Sequence, residues 1–221
     1  MRRATPSLLI VAALTACAGG EQGATPPPPI TRQALAAMVP RTANFPPEVR
    51  SLAPIDTTVD RGYITNAKAS AETPDPSDSG ADLARLGRTG GYHNLVATYT
   101  SVSTLAWAEA SVDAFERDDE ARRFLDARFA ALGEQAGKEN PTKGKIVDVE
   151  PASVPAGLGP ATALRYTLVA GPDRTRVALV AFRVGRVVGW SNVARVDKLD
   201  PQPLADALAQ TLRRQVELVV G

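Results

Sequence analysis

One histidine and one cysteine occur in 221 residues, and that scarcity bounds the chemistry before any element is placed. A Ser-His-Asp relay needs an imidazole, so His93 is its sole candidate. His93 falls in a predicted strand between Tyr92 and Tyr99, and no G-x-S-x-G nucleophile turn occurs anywhere. It reads as a structural histidine. Zinc needs three or four nitrogen or sulfur ligands, which this composition does not supply. The glycine-rich GRTGGY stretch (87–92) lacks the lysine and spacing of a phosphate loop. Asp75, Asp78 and Asp82 lack the alternating acids and glycine of a calcium loop. The acids Glu116, Asp118, Asp119 and Glu120 precede a helical stripe, where capping and the helix dipole account for them. Paired carboxylates can catalyse hydrolysis, but sequence alone does not pair them. No enzyme signature, metal site or cofactor motif emerges.

Cys17 carries a different chemistry. Arg2 and Arg3 form a positive start, and Leu8 to Leu14 is an apolar run of seven residues. A membrane span needs about 20, so this is the pattern of a secretory signal. The flanking residues of a twin-arginine signal are missing, which favours ordinary secretion. Leu14, Thr15, Ala16 and Cys17 resemble the bacterial lipobox. That resemblance implies a diacylglyceryl thioether on Cys17 and cleavage before it. It also explains the solitary thiol, since an exported protein with one cysteine has no internal partner for it. Each buried CH₂ of an acyl chain is worth about 0.8 kcal/mol, and two or more chains hold stably.

The expected organisation is a signal peptide over 1–16, an anchor and tether over 17–30, and one domain over 31–221. Gly and Pro dominate AGGEQGATPPPP (18–29), a composition that favours flexible or extended chain. Removing Arg2 and Arg3 leaves 23 basic residues against 24 acidic ones. A nucleic-acid binder would show a basic excess, so none is expected as partner. The remaining length buries a core without disulfides or metal.

Thr31 caps a predicted helix through Met38, and the prolines at 40, 46, 47 and 54 predict irregular chain up to 61. A polar loop over 72–82 leads into a short helix with Leu83 and Leu86. Alternation then predicts strands, first over 92–99 and then over LAWAEASVDAFE (105–116). The small face Ala106, Ala108, Ala110, Val112, Ala114 is suited to close packing by the helix that follows. That helix starts at a cap on Asp118 and carries Ala121, Phe124, Leu125, Phe129 and Leu132. Strands follow over 145–154, 161–170 and 175–196, the last split by a hairpin at Gly185. Asp200 and Pro201 open a final helix with the row Leu204, Leu208, Leu212, Val216, Val219, and with Arg213, Arg214 and Glu217 facing water.

The order predicts an α+β domain, an antiparallel β-sheet packed by two or three helices. RGYITNAKASAETPDPSDSGADLARLGRTGGYHNLVATY, VDAFERDDEARRFLD and VAFRVGRVVG resemble uncharacterised bacterial lipoproteins, particularly from GC-rich and chloroflexus-like lineages. The element order is similar to the Mog1/PsbP fold. The resemblance carries no catalytic residue. It implies an extracytoplasmic lipoprotein on the cell or outer membrane. The expected mode of action is a binding module whose cleft, lined by Trp107, Tyr166 and Trp190, takes an apolar ligand or an envelope protein. An accessory subunit of an envelope complex is the alternative, and a hydrolase the remaining one.

Overall fold

The alternation over 105–115 becomes a central strand in the computed structural model, which describes residues 27–52, 58–72, 80–98, 104–140 and 144–221. Cys17 and its neighbours Leu14, Thr15 and Ala16 lie outside the described residues, as do 73–79 of the polar loop.

The elements are α1 (Arg32–Met38), α2 (Pro47–Leu52), β1 (Thr58–Ile64), α3 (Asn66–Glu72), α4 (Gly80–Arg85), β2 (Arg88–Ala97) and β3 (Leu105–Phe115). They continue with α5 (Asp118–Glu134), β4 (Glu139–Asn140), β5 (Gly144–Pro151), β6 (Ala161–Ala170), β7 (Asp173–Val184), β8 (Val187–Arg195) and α6 (Gln202–Val220). The eight strands form one sheet in the order β1-β2-β3-β8-β7-β6-β5-β4, antiparallel at each pairing with an assigned register. The fold is α+β, as the element order predicts.

Period-two geometry gives the sheet two faces, each with its own core. On one, Ala108, Ala110, Val112 and Ala114 of β3 join Ala178, Val180 and Phe182 of β7 beneath Leu204, Leu208, Leu212 and Val216 of α6, with Leu35 and Met38 of α1 beside them. On the other, Phe124 and Leu125 of α5 pack on Phe115, Ala181 and Val188, with Leu83 of α4 alongside. The alanine face is therefore covered by α6 and not, as its position before α5 suggested, by α5. Phe115 ends β3 on the opposite face, and the two-residue link that follows delivers α5 there. Gly189 lets α6 and the sheet close up: a Cβ there would stand 2.3 Å from Cζ of Phe182, its β7 neighbour.

Several boundaries move. The cap of α5 is Arg117, whose backbone N–H donates to Glu120 at 3.0 Å, so the work expected of Asp118 falls to Glu120. The N-cap position of α6 is Pro201, expected as its first residue, and Asp200 just before it accepts from the Gln202 N–H at 3.0 Å. Val219 leaves the apolar row and is exposed, while Arg213 packs inward, 5.8 Å from the Phe182 ring. A 3-10 turn over Thr42–Asn44, α2 and the start of the edge strand β1 occupy much of the segment expected to be irregular. Ile30 already packs on the α6-side core, and the Pro27 carbonyl accepts from Arg186 at 3.3 Å, so folded contacts begin before residue 31.

Candidate functional site

β3, β8, β7 and β6 place Trp107, Ala194, Val177 and Tyr166 side by side, all on the α5 face. The next row on that face reads Asp60, Leu95, Glu109, Asn192, Leu179 and Leu164 from β1 to β6. Helix α5 covers the other end of the face, near the β7–β8 hairpin. Leu95, Trp107, Leu164, Tyr166 and Leu179 belong to neither core cluster. They form a third apolar surface. Trp107 and Tyr166 stand three strands apart, about 14 Å at a strand spacing of about 4.8 Å.

Polar groups gather on the β1–β2 side of Trp107. His93 is buried, with Nδ1 3.8 Å from Glu109 Oε1 and Nε2 3.5 Å from Asp60 Oδ2. Lys68 on α3 sits 3.7 Å from the same Asp60 oxygen. The Glu109 carboxylate raises the imidazole pKa most, Asp60 adds to it, and burial and Lys68 oppose. At 3.8 Å the His93–Glu109 contact is an ion pair and not a hydrogen bond. The two carboxylates address opposite ring nitrogens, so the three side chains share no centre where a metal ion would sit. Among the described residues no group of three or more His, Cys, Asp or Glu side chains is arranged to hold one. Burial, with the Glu109 charge as a second cause, pushes the Tyr166 hydroxyl up to about 12, so it stays protonated.

His93 Nε2 and Asn192 Oδ1 are buried without a hydrogen bond among the described residues. Buried polar groups are normally satisfied. Both sit on strands that flank Glu109 of β3.

Trp190, the third aromatic expected at the cleft, is committed to the α5-side core. It stacks on Phe129 at 6.1 Å and meets Phe124 edge-on at 6.1 Å. Its Nε1 donates to Asp113 Oδ2 at 2.8 Å, and the other oxygen of Asp113 holds the buried Arg88 at 2.7 Å. The structure thus leaves Trp107 and Tyr166 on the open part of the face and puts Trp190 at its border. Glu109, His93 and Asn192 complete the site. A cross-strand register joins them, and nothing local in the sequence signals it.

A concavity of about 340 Å³ adjoins this face at the N-terminal end of α6; it shares Tyr166 and Val177 with the face and is otherwise lined by charged groups that include Asp148, Glu150, Arg165, Arg176 and Asp200. Most of its charges are paired. Arg165 pairs with Glu150 at 2.9 Å and Asp200 at 3.2 Å, and Arg176 donates to the Lys198 carbonyl. Arg165 Nε is buried without a hydrogen bond among the described residues.

No protein-family model matches the chain, and no curated protein matches it. Among solved structures, the chain is similar to the crystal structure of the extracellular domain of PknH from Mycobacterium tuberculosis, at 16% identity and a TM-score of 0.55. The match covers 86% of this chain and 98% of that one. At this identity the likeness is one of fold.

Proposed function

We propose that the protein is an extracytoplasmic lipoprotein, anchored through Cys17, whose domain binds a ligand on the α5 face and performs no catalysis. The observation that carries the binding reading is Asn192 Oδ1, buried without a hydrogen bond on β8 between Trp107 of β3 and Tyr166 of β6, on a surface that joins neither core; His93 Nε2, one strand beyond Trp107 on β2, likewise makes no hydrogen bond. Ligand sites combine an apolar lining with a few placed polar groups. Leu95, Leu164 and Leu179 supply the lining here, and Glu109, Asn192 and the Tyr166 hydroxyl supply the polar groups. The ligand that fits is an amphiphile, or an extended protein segment, with a hydrogen-bonding head on an apolar body. The fold likeness to a domain described as extracellular supports the location, as does the lipobox. Among the described residues no helix is long and apolar enough to cross a membrane, and a lipid on Cys17 supplies the attachment.

Native mass spectrometry of protein purified from its own host tests the binding reading. A bound mass is expected on the wild type and should be lost from Glu109→Gln and Tyr166→Phe, both of which keep side-chain volume. Wild-type protein free of any adduct, or an adduct untouched by both substitutions, would remove the α5 face as the site. Cys17→Ala tests the anchor separately: the lipid label should vanish, and the protein should leave the membrane pellet.

A further inference from the structure

We infer that the domain rests on the bilayer with its β7–β8 hairpin end down, the last turn of α6 lying in the headgroup layer. This rests on the reading of Cys17 as the anchor. Arg186, in the two-residue turn between Val184 and Val187, donates to the carbonyls of Pro27 and Pro28. The chain toward Cys17 therefore leaves the domain at the hairpin end. Ten residues separate Pro27 from Cys17; fully extended they reach about 36 Å, and a flexible chain of that length spans about 17 Å. The hairpin end is held close to the membrane surface.

Helix α6 points the same way. The Ala205 carbonyl accepts from Ser191, midway along β8. Two turns later Arg213 lies over Phe182 near the end of β7, and Val216 is fully buried. The next turn runs past the sheet and exposes Leu218 at 85%, Val219 at 38% and Val220 at 40%. Leu218 is the most exposed large apolar residue among those described. Arg214 is on α6 and Arg186 in the hairpin turn; Arg183, opposite Val188, stands on the α5 face, where Asp118, near Gly185, and Asp119 open α5. The α6 side is thus the one that tilts toward lipid headgroups, with its apolar turn among them and its arginines at their level. Val196 and Leu199, also exposed, stand beyond the opposite end of β8 next to Asp197 and Asp200.

The test uses the full lipidated chain on phosphatidylcholine vesicles. Leu218→Cys and Leu199→Cys are each labelled with an environment-sensitive fluorophore; Cys17 is acylated, so each variant has one free thiol. Both positions are exposed, and circular dichroism matching the wild type checks the fold. A blue shift and at least threefold stronger quenching by a lipid-borne quencher at 218 than at 199 is the expected result, and Val220→Asp should reduce it. Equal quenching in protein that pellets with the vesicles would overturn the orientation while leaving the anchor intact. Stronger quenching at 199 would reverse it. Self-quenching of the 218 label that grows with protein density, without lipid quenching, would make the turn a contact between copies and overturn the proposal. Protein that fails to pellet would overturn the anchor reading and this proposal with it.

Discussion

Gly189→Ala adds one methyl group where β8 crosses beneath α6, and the structure sets its cost. The new Cβ would stand 2.3 Å from Cζ of Phe182 and 2.8 Å from both Cε atoms. An ordinary carbon–carbon contact is about 3.5–4.0 Å, so the ring must retreat by more than 1 Å. It has nowhere to go. Phe182 is fully buried, α6 lies above it, and the Arg213 guanidinium sits over its face at 5.8 Å. Gly189 has no left-handed φ, so backbone strain adds nothing and the whole effect is overpacking. Such insertions cost about 1–3 kcal/mol, and the short contacts place this one near 3. In a domain of this size that lowers Tm by roughly 6–12 °C. Urea melts of four proteins measure it: wild type, Gly189→Ala, Phe182→Leu and the double variant. Phe182→Leu alone leaves a void and destabilises. In the double variant the added methyl group takes up part of that void, so the two losses should fall short of additivity by at least about 1 kcal/mol. Additive losses, or a Gly189→Ala cost under about 0.5 kcal/mol, would refute the claim that this contact sets the approach of α6 to the sheet.

Gly185 holds φ near 53° in the β7–β8 turn, and a Cβ there would meet only Asp118 oxygens at 3.8 Å or beyond, so Gly185→Val tests conformation alone. A loss of about 1–2 kcal/mol in a urea melt is expected. Asn94 is fully buried, and its Nδ2 donates to the Pro40 carbonyl at 2.8 Å, so Asn94→Ala should cost about 1–3 kcal/mol by stranding that carbonyl. His93 has a folded pKa above the ordinary value near 6.5, chiefly through Glu109. Its contribution is therefore fully present below about 6.5 and lost as pH rises through the folded value. Stability measured from pH 5.5 to 8.5 should fall more steeply in the wild type than in His93→Gln, and parallel profiles would mean that the Glu109 pairing does not persist in solution.

The parts of the fold legible in the sequence are those whose apolar period is complete within one element. Ala108, Ala110, Val112 and Ala114 alternate cleanly because β3 is central and buried on that face. Leu204, Leu208, Leu212 and Val216 do the same at helical spacing. β1 escapes notice because it is an edge strand: Thr58–Ile64 reads TVDRGYI, with charges where a central strand would carry apolar residues. α3 has no apolar row at all. It is placed by tertiary bonds such as the Asn66 Nδ2 donation to the Arg88 carbonyl at 2.9 Å. The face chosen by α5 was illegible for a related reason. A strand's alternation gives two faces but does not say which one the next helix will take; that depends on the residue at which the strand ends.

The candidate site divides the same way. Trp107 and Tyr166 stand out in the sequence as large aromatics, whereas Glu109 meets Asn192 only through the β3–β8 register and His93 only through β2–β3. That register also brings Ser111 directly opposite His93, on the same face, with Glu109 two residues away. Serine, histidine and carboxylate are thus neighbours, the grouping that the sequence did not reveal and that a hydrolase would need. The geometry argues against that use. A relay requires one ring nitrogen on the acid and the other on the serine oxygen at about 2.6–3.2 Å. Here Nδ1 faces Glu109 and Nε2 faces Asp60, and Ser111 bonds to neither. Both nitrogens are occupied by negative charge, an arrangement that favours a proton held on the ring over one passed along it. Ser111→Ala separates the two cases. It removes the nucleophile but leaves Trp107, Tyr166, Glu109 and Asn192 in place, so a binding face should keep its ligand mass in native spectra. Loss of the wild-type phenotype with the ligand mass retained would mean that Ser111 reacts, and the reading of this face as a binding surface alone would fail.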